Sequence, residues 1–362
     1  MKNVLLIICL IVLVSGCVSD TRSGLPSCGD ETELFTVAPI DNSEFQNLEP
    51  LGAVSPPGHV FPIDHMYFHL NRVGEDGEMG SFQVNVKVPG DVWITRIREV
   101  DYHGDYSNDY SVFFSPCREV QGFYYHLTSL SERIKSEFDK SPGECRDFGI
   151  DETAWTECEK FVLIEMSAGE IIGTAGGEER GSFDIGMTDS RIQSHQYANP
   201  GRWSGFNRAM ITVCPTEYFS SDVKTTLEEK LGEHIHDGTL VKRTIEPICG
   251  QLEQDEPGTA QGVWFVKGTI NTIPEEPHMS LVHEAYDPDK SVFSMGNSVP
   301  GVDSGRYYFD PLDEGLVNID FIEVTLGNVY CYELHNKWYP DITNLVLIIQ
   351  MPTETILKIE KL

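Results

Sequence analysis

Basic residues are scarce in this chain, where 26 lysines and arginines stand against 57 aspartates and glutamates and leave a net charge of −31. Such an acidic surface repels the phosphates of nucleic acids and of anionic lipids, so neither nucleic-acid binding nor purely electrostatic membrane attachment is expected. Charged residues make up only 23% of the chain and hydrophobic residues 40%. The composition is therefore that of a folded protein and not of an acidic disordered one.

The apolar run near the N-terminus is also short. It extends from Val4 to Val14, too few residues to span a membrane as a helix, and it follows the positive charge of Lys2. This pattern fits the core of a signal peptide. The small residues before Cys17 resemble the lipobox of bacterial-type lipoproteins, in which this cysteine is lipidated and becomes N-terminal. An ordinary signal peptide with a chance cysteine is the alternative.

The lipoprotein interpretation predicts a signal peptide over residues 1–16 and a lipid anchor on Cys17. It places the protein outside the cytoplasm, anchored to a membrane of the cell envelope. Residues 17–47 are polar with little periodicity, and they are predicted to be a tether that lifts the folded part off the membrane.

No CxxC pair occurs among the nine cysteines, so neither a thiol redox motif nor a zinc ribbon is supported. Loss of one cysteine with the signal peptide and of Cys17 to lipid leaves seven. In an oxidising compartment these would form up to three disulfides and leave one thiol. Cys145 with Cys158 and Cys214 with Cys249 are the natural pairs, because each would close a loop between predicted elements.

Strand patterns dominate the rest of the chain. A first β domain is predicted over residues 48–204, and a polar, turn-rich stretch at residues 189–207 marks its end. Residues 205–362 contain short strands at fairly even spacing, including one at Leu316–Val324, which predicts an antiparallel sandwich or small barrel. No family is recognised for this second part.

Local patterns also predict individual elements of the first domain and one helix beyond it. Residues 82–88 and 92–97 both alternate and flank the turn Pro89-Gly90-Asp91, which predicts a hairpin. Helices are predicted over Ser131–Asp139 and Ser221–Gly232, where apolar residues recur four apart.

The stretch from Pro56 to Leu70 concentrates residues that can carry chemistry. From Ile63 onward it alternates as a strand would, with His65 on one face and Asp64 on the other, so these two side chains are expected to point apart. His59 and Asp64 are a pair of zinc-ligand types. A histidine-rich loop whose side chains bond to the backbone is the alternative.

Three motifs follow in order along the first domain: Val88-Pro89-Gly90-Asp91, Tyr125-His126-Leu127 and the glycine-rich turn at residues 168–176. Their order and spacing resemble those of the lysostaphin-type zinc endopeptidases, which cut peptide cross-bridges in bacterial cell walls. The resemblance covers residues from about 50 to 190. It implies a two-layer β fold of related hairpins, so the fold class is mostly β: a peptidase-like β-sandwich followed by the antiparallel sandwich or small barrel.

The resemblance also implies roles for single residues. His59 and Asp64 take the places of two zinc ligands, with four residues between them instead of the usual three. His126 matches the histidine that helps to polarise the attacked carbonyl. Asp184 stands where the family has the first histidine of an HxH strand, and Gly186 stands where the second histidine binds zinc. One zinc ligand and one base are therefore missing.

These features favour a membrane-anchored lipoprotein with a peptidase-like fold that is non-catalytic and binds a cell-wall peptide, a glycan or an envelope partner. Two alternatives stay open. One is a divergent zinc metalloendopeptidase that acts on cell-wall peptides and uses His59, Asp64, Asp184 and His126, with His65 or Asp189 as a further ligand. The other is a lipoprotein that binds a small ligand through its C-terminal domain.

Overall fold

The structure is a computed structural model, and it describes residues 21–70, 82–102, 108–149, 154–177, 181–235, 238–336 and 345–362. The predicted signal peptide and the predicted lipidation site at Cys17 lie outside these residues. Within the described ranges, no helix is both long enough and apolar enough to cross a membrane.

Antiparallel strands form most of the described chain. The first group is β1 (Phe45–Glu49), β2 (Met66–Leu70), β3 (Gln83–Lys87), β4 (Val92–Tyr102), β5 (Asp109–Ser115), β6 (Val120–Leu130), β7 (Gly143–Phe148), β8 (Trp155–Met166), β9 (Ile171–Gly176), β10 (Ser182–Asp189) and β11 (Thr212–Val213). The second group is β12 (Gly232–His234), β13 (Leu240–Lys242), β14 (Gly262–Trp264), β15 (Met279–His283), β16 (Ser291–Met295), β17 (Gly305–Tyr308), β18 (Val329–Asn336), β19 (Leu345–Thr353) and β20 (Ile356–Lys361). The α-helices are α1 (Glu132–Lys140), within one residue of its predicted bounds, and α2 (Ser221–Glu228), which begins as predicted but ends before Gly232, the first residue of β12. Short 3₁₀ helices lie at Thr21–Gly24, Pro200–Trp203, Asn207–Met210, Pro215–Tyr218 and Phe321–Glu323.

Strands β1 to β11 form one branched sheet. Its main path runs β1-β2-β10-β6-β5-β4-β8-β7, while β11 joins β10 and β3 joins β9. The sheet forks at β6, because residues 120–125 pair with β10 and residues 127–130 pair with β9. The β3–β9 branch packs its buried residues, such as Val86 and Ile172, into the same core as Phe68 and Phe183 of the main path.

Strands β14 to β20 form a separate seven-stranded sheet in which each strand pairs with its neighbour in sequence. This meander curls into a nearly closed barrel, so the prediction of a mostly β chain with a small C-terminal barrel is confirmed. The strand predicted at Leu316–Val324 does not form. A 3₁₀ helix stands there instead, because the Asp320 side chain accepts a hydrogen bond from the backbone N–H of Ile322 and caps its start.

The hairpin predicted for residues 82–97 is wrong, although both of its strands exist. β3 pairs with β9, while β4 lies between β5 and β8, so the turn between them carries the chain from one branch to the other. Other segments hold this turn. The Pro89 carbonyl accepts hydrogen bonds from the backbone of Thr36 and Val37, and the Asp91 carboxylate accepts one from the Ala168 N–H. Alternation and turn residues predict strands, but they do not specify the partner of each strand.

The predicted tether is largely folded in its described part. Phe35, Ile40 and Phe45 are buried in the main core, because these isolated apolar residues each find a place against the first sheet. The first sheet also continues beyond residue 204, since β11 pairs with β10. The segments that precede β2 and β15 touch where the Phe61 ring stacks on His278.

Disulfides join Cys145 to Cys158 and Cys214 to Cys249, which confirms both predicted pairs. A third links Cys28 to Cys117, and the remaining described cysteine, Cys331, is free. Three disulfides indicate an oxidising, extracytoplasmic environment.

Candidate functional site

A buried carboxylate lies at the centre of the first sheet. Asp184 sits on β10, between β2 and β6, and its side chain is fully buried. Neither of its oxygens accepts a hydrogen bond from any residue that the structure describes. Burial raises the pKa of Asp184, and the nearby imidazoles of His65, His126 and His59 only partly oppose this shift. A buried polar group without a partner points to a bound water, an ion or a chemical role.

Two imidazoles flank this carboxylate. His65 Nε2 lies 3.5 Å from Asp184 Oδ2, and His126 Nε2 lies 3.4 Å from the same oxygen. The other ring nitrogen of each histidine contacts a second carboxylate: His65 Nδ1 is 2.9 Å from Asp64 Oδ1, and His126 Nδ1 is 2.9 Å from Asp109 Oδ2. The five side chains therefore form a chain in which carboxylates and imidazoles alternate. We call them the histidine–carboxylate cluster.

His126 occupies an unusual backbone position within this cluster. Its φ is +65°, a left-handed conformation that costs free energy for a residue with a Cβ. It stands at the fork of β6, where the pairing register with β5 also shifts. Such bulges re-aim a side chain, and here the imidazole reaches the buried Asp184 while 40% of it stays exposed. His126 thus connects the buried cluster to solvent.

Asp64 and His65 do not point apart, which corrects the expectation from alternation. β2 begins only at Met66, so both residues precede the strand and their side chains can bond to each other. Arg208 donates through Nε to the second oxygen of Asp64 and through Nη1 to the Tyr125 hydroxyl. Burial alone would raise the pKa of Asp64, but Arg208 and His65 outweigh it and hold the pKa well below its usual range. Both oxygens of Asp64 are therefore engaged.

At Gly186, where the resemblance implies a zinc-binding histidine, an aromatic ring fills the space for a side chain. A Cβ atom at Gly186 would overlap the ring of Phe123, so no larger side chain fits there without moving that ring. The Arg208 guanidinium lies over the same ring, 4.6 Å from its centroid. Since Asp64 is bound by a cation of the protein itself, these residues do not fit a zinc ion held as the resemblance implies.

His59 lies at the edge of the cluster and faces a different carboxylate. Its Nδ1 is 3.9 Å from Glu275 Oε1, and its ring meets the His65 ring edge-on at 5.6 Å. Burial lowers the pKa of His59, but Glu275 more than offsets this and leaves the pKa raised. An open cavity of about 470 Å³ borders this pair, lined by Pro57, Gly58, His59, Ile273, Pro274, Glu275 and Glu276. The structure thus brings His126 and Asp184 together, while His59 faces the cavity.

One group of three potential ligand atoms lying within 4.8 Å of one another occurs in the described part of the chain. It consists of Cys28, Cys117 and Glu119. Because the two cysteines form a disulfide, their sulfurs are not thiolates and this group is not a metal site. The ligand atoms of His65, His126 and Asp184 are not all within that distance of one another.

Two members of the arrangement were missed by the sequence reasoning. Asp109 is the first residue of β5, and Arg208 lies 144 residues from its partner Asp64. No local pattern links either residue to a histidine.

Comparison with protein-family models, with curated proteins and with solved structures finds no match. The function therefore has to be argued from the site.

Substitution of Gly186 tests whether Phe123 fills the ligand position. Gly186→Ala is expected to lower the free energy of unfolding by about 1–3 kcal/mol, because the new methyl group forces the buried ring to move. Urea unfolding measures this change. Gly201→Ala is the control, since open space surrounds that position. Equal stability of the two variants would contradict the overlap.

Proposed function

We propose that this protein is a lipoprotein, anchored through Cys17, that binds a cell-wall peptide or glycan, or an envelope partner, without cleaving it. The observation that carries this proposal is the pairing of Asp64 with Arg208 beside the Phe123 ring. A lysostaphin-type hydrolytic zinc needs three protein ligands and an open water position. Here an arginine neutralises one implied ligand, and an aromatic ring fills the space of another.

The cavity beside His59 is where we place the ligand. His59 lines this cavity and exposes 40% of its side chain, so it can meet a ligand from solvent. Glu275 and Glu276 line the same cavity and make its wall acidic. Acidic walls attract ammonium groups, so the cavity suits a peptide or amino sugar that carries free amines.

Retention on insoluble cell-wall fragments tests the proposal. Glu275→Gln is expected to weaken binding about tenfold. A hydrogen bond to a charged group contributes about 1.5–3 kcal/mol, and the uncharged amide oxygen of glutamine forms only the weaker, neutral hydrogen bond. The glutamine can still accept the hydrogen bond from the Phe61 N–H, so the fold should persist. Glu360→Gln, on the exposed strand β20, is the matched control.

The same assay measures whether soluble peptides are released. Retention without release is the expected result. Equal retention of the two glutamine variants would mean that this cavity does not bind the wall fragments. Release of wall peptides together with stoichiometric zinc would contradict the non-catalytic function altogether.

A divergent metal hydrolase is the second candidate, favoured by the buried carboxylate of Asp184, which lies between two imidazoles and accepts no hydrogen bond from the described residues. Such groups are common in active sites. This candidate expects release of wall peptides that His126→Ala abolishes. Unchanged release in that variant would rule it out.

A further inference from the structure

A second cavity, of about 540 Å³, lies between β11 and the segment at residues 247–253, which connects β13 to β14. It shares no lining residue with the cavity beside His59. Sites for small molecules typically have volumes of about 300–1,000 Å³. The size of this cavity therefore suits a small molecule.

Covalent and backbone bonds hold the walls of this cavity in place. The Cys214–Cys249 disulfide joins the wall at β11 to the segment at residues 247–253. The Leu51 N–H donates to the Cys249 carbonyl, and the His195 N–H donates to the Met210 carbonyl, both over 2.9 Å. A site with fixed walls loses little conformational entropy when a ligand binds, so it favours binding of a small molecule.

Most of the cavity lining is apolar. The buried side chains of Leu51 and Leu252 line it, together with the half-buried side chains of Ile192 and Val213. An apolar ligand body would displace water from these side chains, which is favourable. The lining therefore suits a ligand whose larger part is apolar.

His195 and Glu253 interrupt this apolar lining. His195 Nε2 lies 2.8 Å from the Thr212 carbonyl oxygen, which can only accept, so this nitrogen carries the N–H. In the neutral ring Nδ1 then holds a lone pair, and it faces Glu253 Oε2 at 4.0 Å. Two acceptors at this separation can both lie about 2.9 Å from one donor nitrogen. The pair therefore fits a ligand group that donates at least two hydrogen bonds.

The charges around the cavity specify the kind of donor. Glu217 and Glu253 line it, and none of its lining residues is a lysine or an arginine. Lys224, which does not line the cavity, places its Nζ 2.7 Å from the Glu217 carboxylate and balances that charge. Within the described residues, Glu253 forms no salt bridge with a lysine or an arginine, and His195 is its neighbour. An ammonium group is a cation with three N–H donors, so it meets both requirements.

We propose that this cavity binds a small apolar monoamine, with its ammonium group between His195 Nδ1 and Glu253 Oε2 and its apolar body against Leu252. A carboxylate ligand would be repelled by Glu253, and a diamine would find the other carboxylate already balanced by Lys224. The site goes beyond the proposed function, because wall fragments are placed at the cavity beside His59 and neither site requires the other.

Calorimetric titration of the full-length protein tests the site, with benzylamine, phenethylamine and hexylamine as the probes. At about pH 8 imidazoles are neutral, whereas these amines stay charged. We expect one amine per chain, with a dissociation constant of about 1 mM or tighter for at least one of the three. Phenethyl alcohol has the same apolar body without the charge. It should bind about 10-fold more weakly than phenethylamine, because charge-assisted hydrogen bonds are the stronger ones.

Three variants locate the ammonium group and the apolar body. Glu253→Gln can still accept the hydrogen bond from the Gln196 N–H, and it should weaken amine binding about 10-fold while leaving phenethyl alcohol unchanged. Glu217→Gln is the matched control, with a change of less than about 2-fold, because Lys224 already balances that carboxylate. Ile192→Trp should abolish binding of every probe, since the indole fills the space of the ligand.

Several outcomes would overturn the proposal. Absence of binding by all three amines at about 10 mM removes the site, and so does equal affinity for phenethylamine and phenethyl alcohol. Equal weakening in Glu253→Gln and Glu217→Gln would mean that the general acidity of the surface, and not the pair of Glu253 with His195, attracts the amine. Unchanged binding in Ile192→Trp would place the amine outside this cavity. Circular dichroism of each variant separates loss of fold from loss of binding.

Discussion

Replacement of Arg208 by methionine is expected to lower the free energy of unfolding by about 3–5 kcal/mol, because it leaves the buried carboxylate of Asp64 without its cation. Arg208 binds the Asp64 carboxylate and the Tyr125 hydroxyl, and Asp64 is only 5% exposed. Methionine keeps much of the packing over the Phe123 ring. Urea unfolding at neutral pH measures the loss.

The pH dependence of this loss identifies its cause. In the unaltered protein the pKa of Asp64 lies below its unfolded value, so the pair stabilises the fold above the unfolded pKa and is lost as the pH falls through the folded pKa. Without Arg208, only His65 of these two partners is left to oppose the effect of burial on the pKa of Asp64, so the variant keeps less of this stabilisation above the unfolded pKa. The difference between the two proteins should therefore be large at pH 7 and shrink as the pH falls below the unfolded pKa of Asp64.

A double variant is the control. Asp64→Asn combined with Arg208→Met removes both charges and should recover part of the lost stability, because no uncompensated carboxylate remains. A loss that stays constant with pH, or a double variant no more stable than Arg208→Met alone, would mean that packing and not charge is the cause.

Removal of the Cys28–Cys117 disulfide has the second large expected effect. This bond joins residues 89 positions apart and ties the N-terminal segment to the turn between β5 and β6. Closure of a loop of this length lowers the conformational entropy of the unfolded chain. In the chain-entropy description this stabilises the folded state by about 4–5 kcal/mol. The variant with serine at both positions is therefore expected to lose about 4 kcal/mol of unfolding free energy.

The shorter disulfide provides an internal comparison. Cys145 and Cys158 are 13 positions apart and face each other on the paired strands β7 and β8, so their bond closes a smaller loop. Serine at both of these positions is expected to cost about 3 kcal/mol or less. Urea unfolding of the two double variants ranks them. A larger loss for the shorter loop would contradict the entropic explanation.

Local features of the chain were readable from its sequence. Alternation predicted the strands at residues 82–88 and 92–97, where β3 and the first part of β4 form, and the burial of β3 alternates with the period of two that strand geometry requires. The helix at residues 132–140 followed from the four-residue spacing of Ile134 and Phe138, both of which are buried. The pairs Cys145–Cys158 and Cys214–Cys249 were also found, because each joins elements close in sequence.

Only the tertiary structure decided which elements meet. β3 pairs with β9, not with β4, because the Pro89 turn is held by distant backbone groups. Arg208 reaches Asp64 across 144 residues, and His126 and His65 meet Asp184 because β6 and β2 both pair with β10. Sequence patterns record burial and local backbone preference, but contacts between distant strands depend on sheet order. For that reason the sequence by itself determined most of the strands, the two helices and two disulfides, and the assembled sheet determined the site.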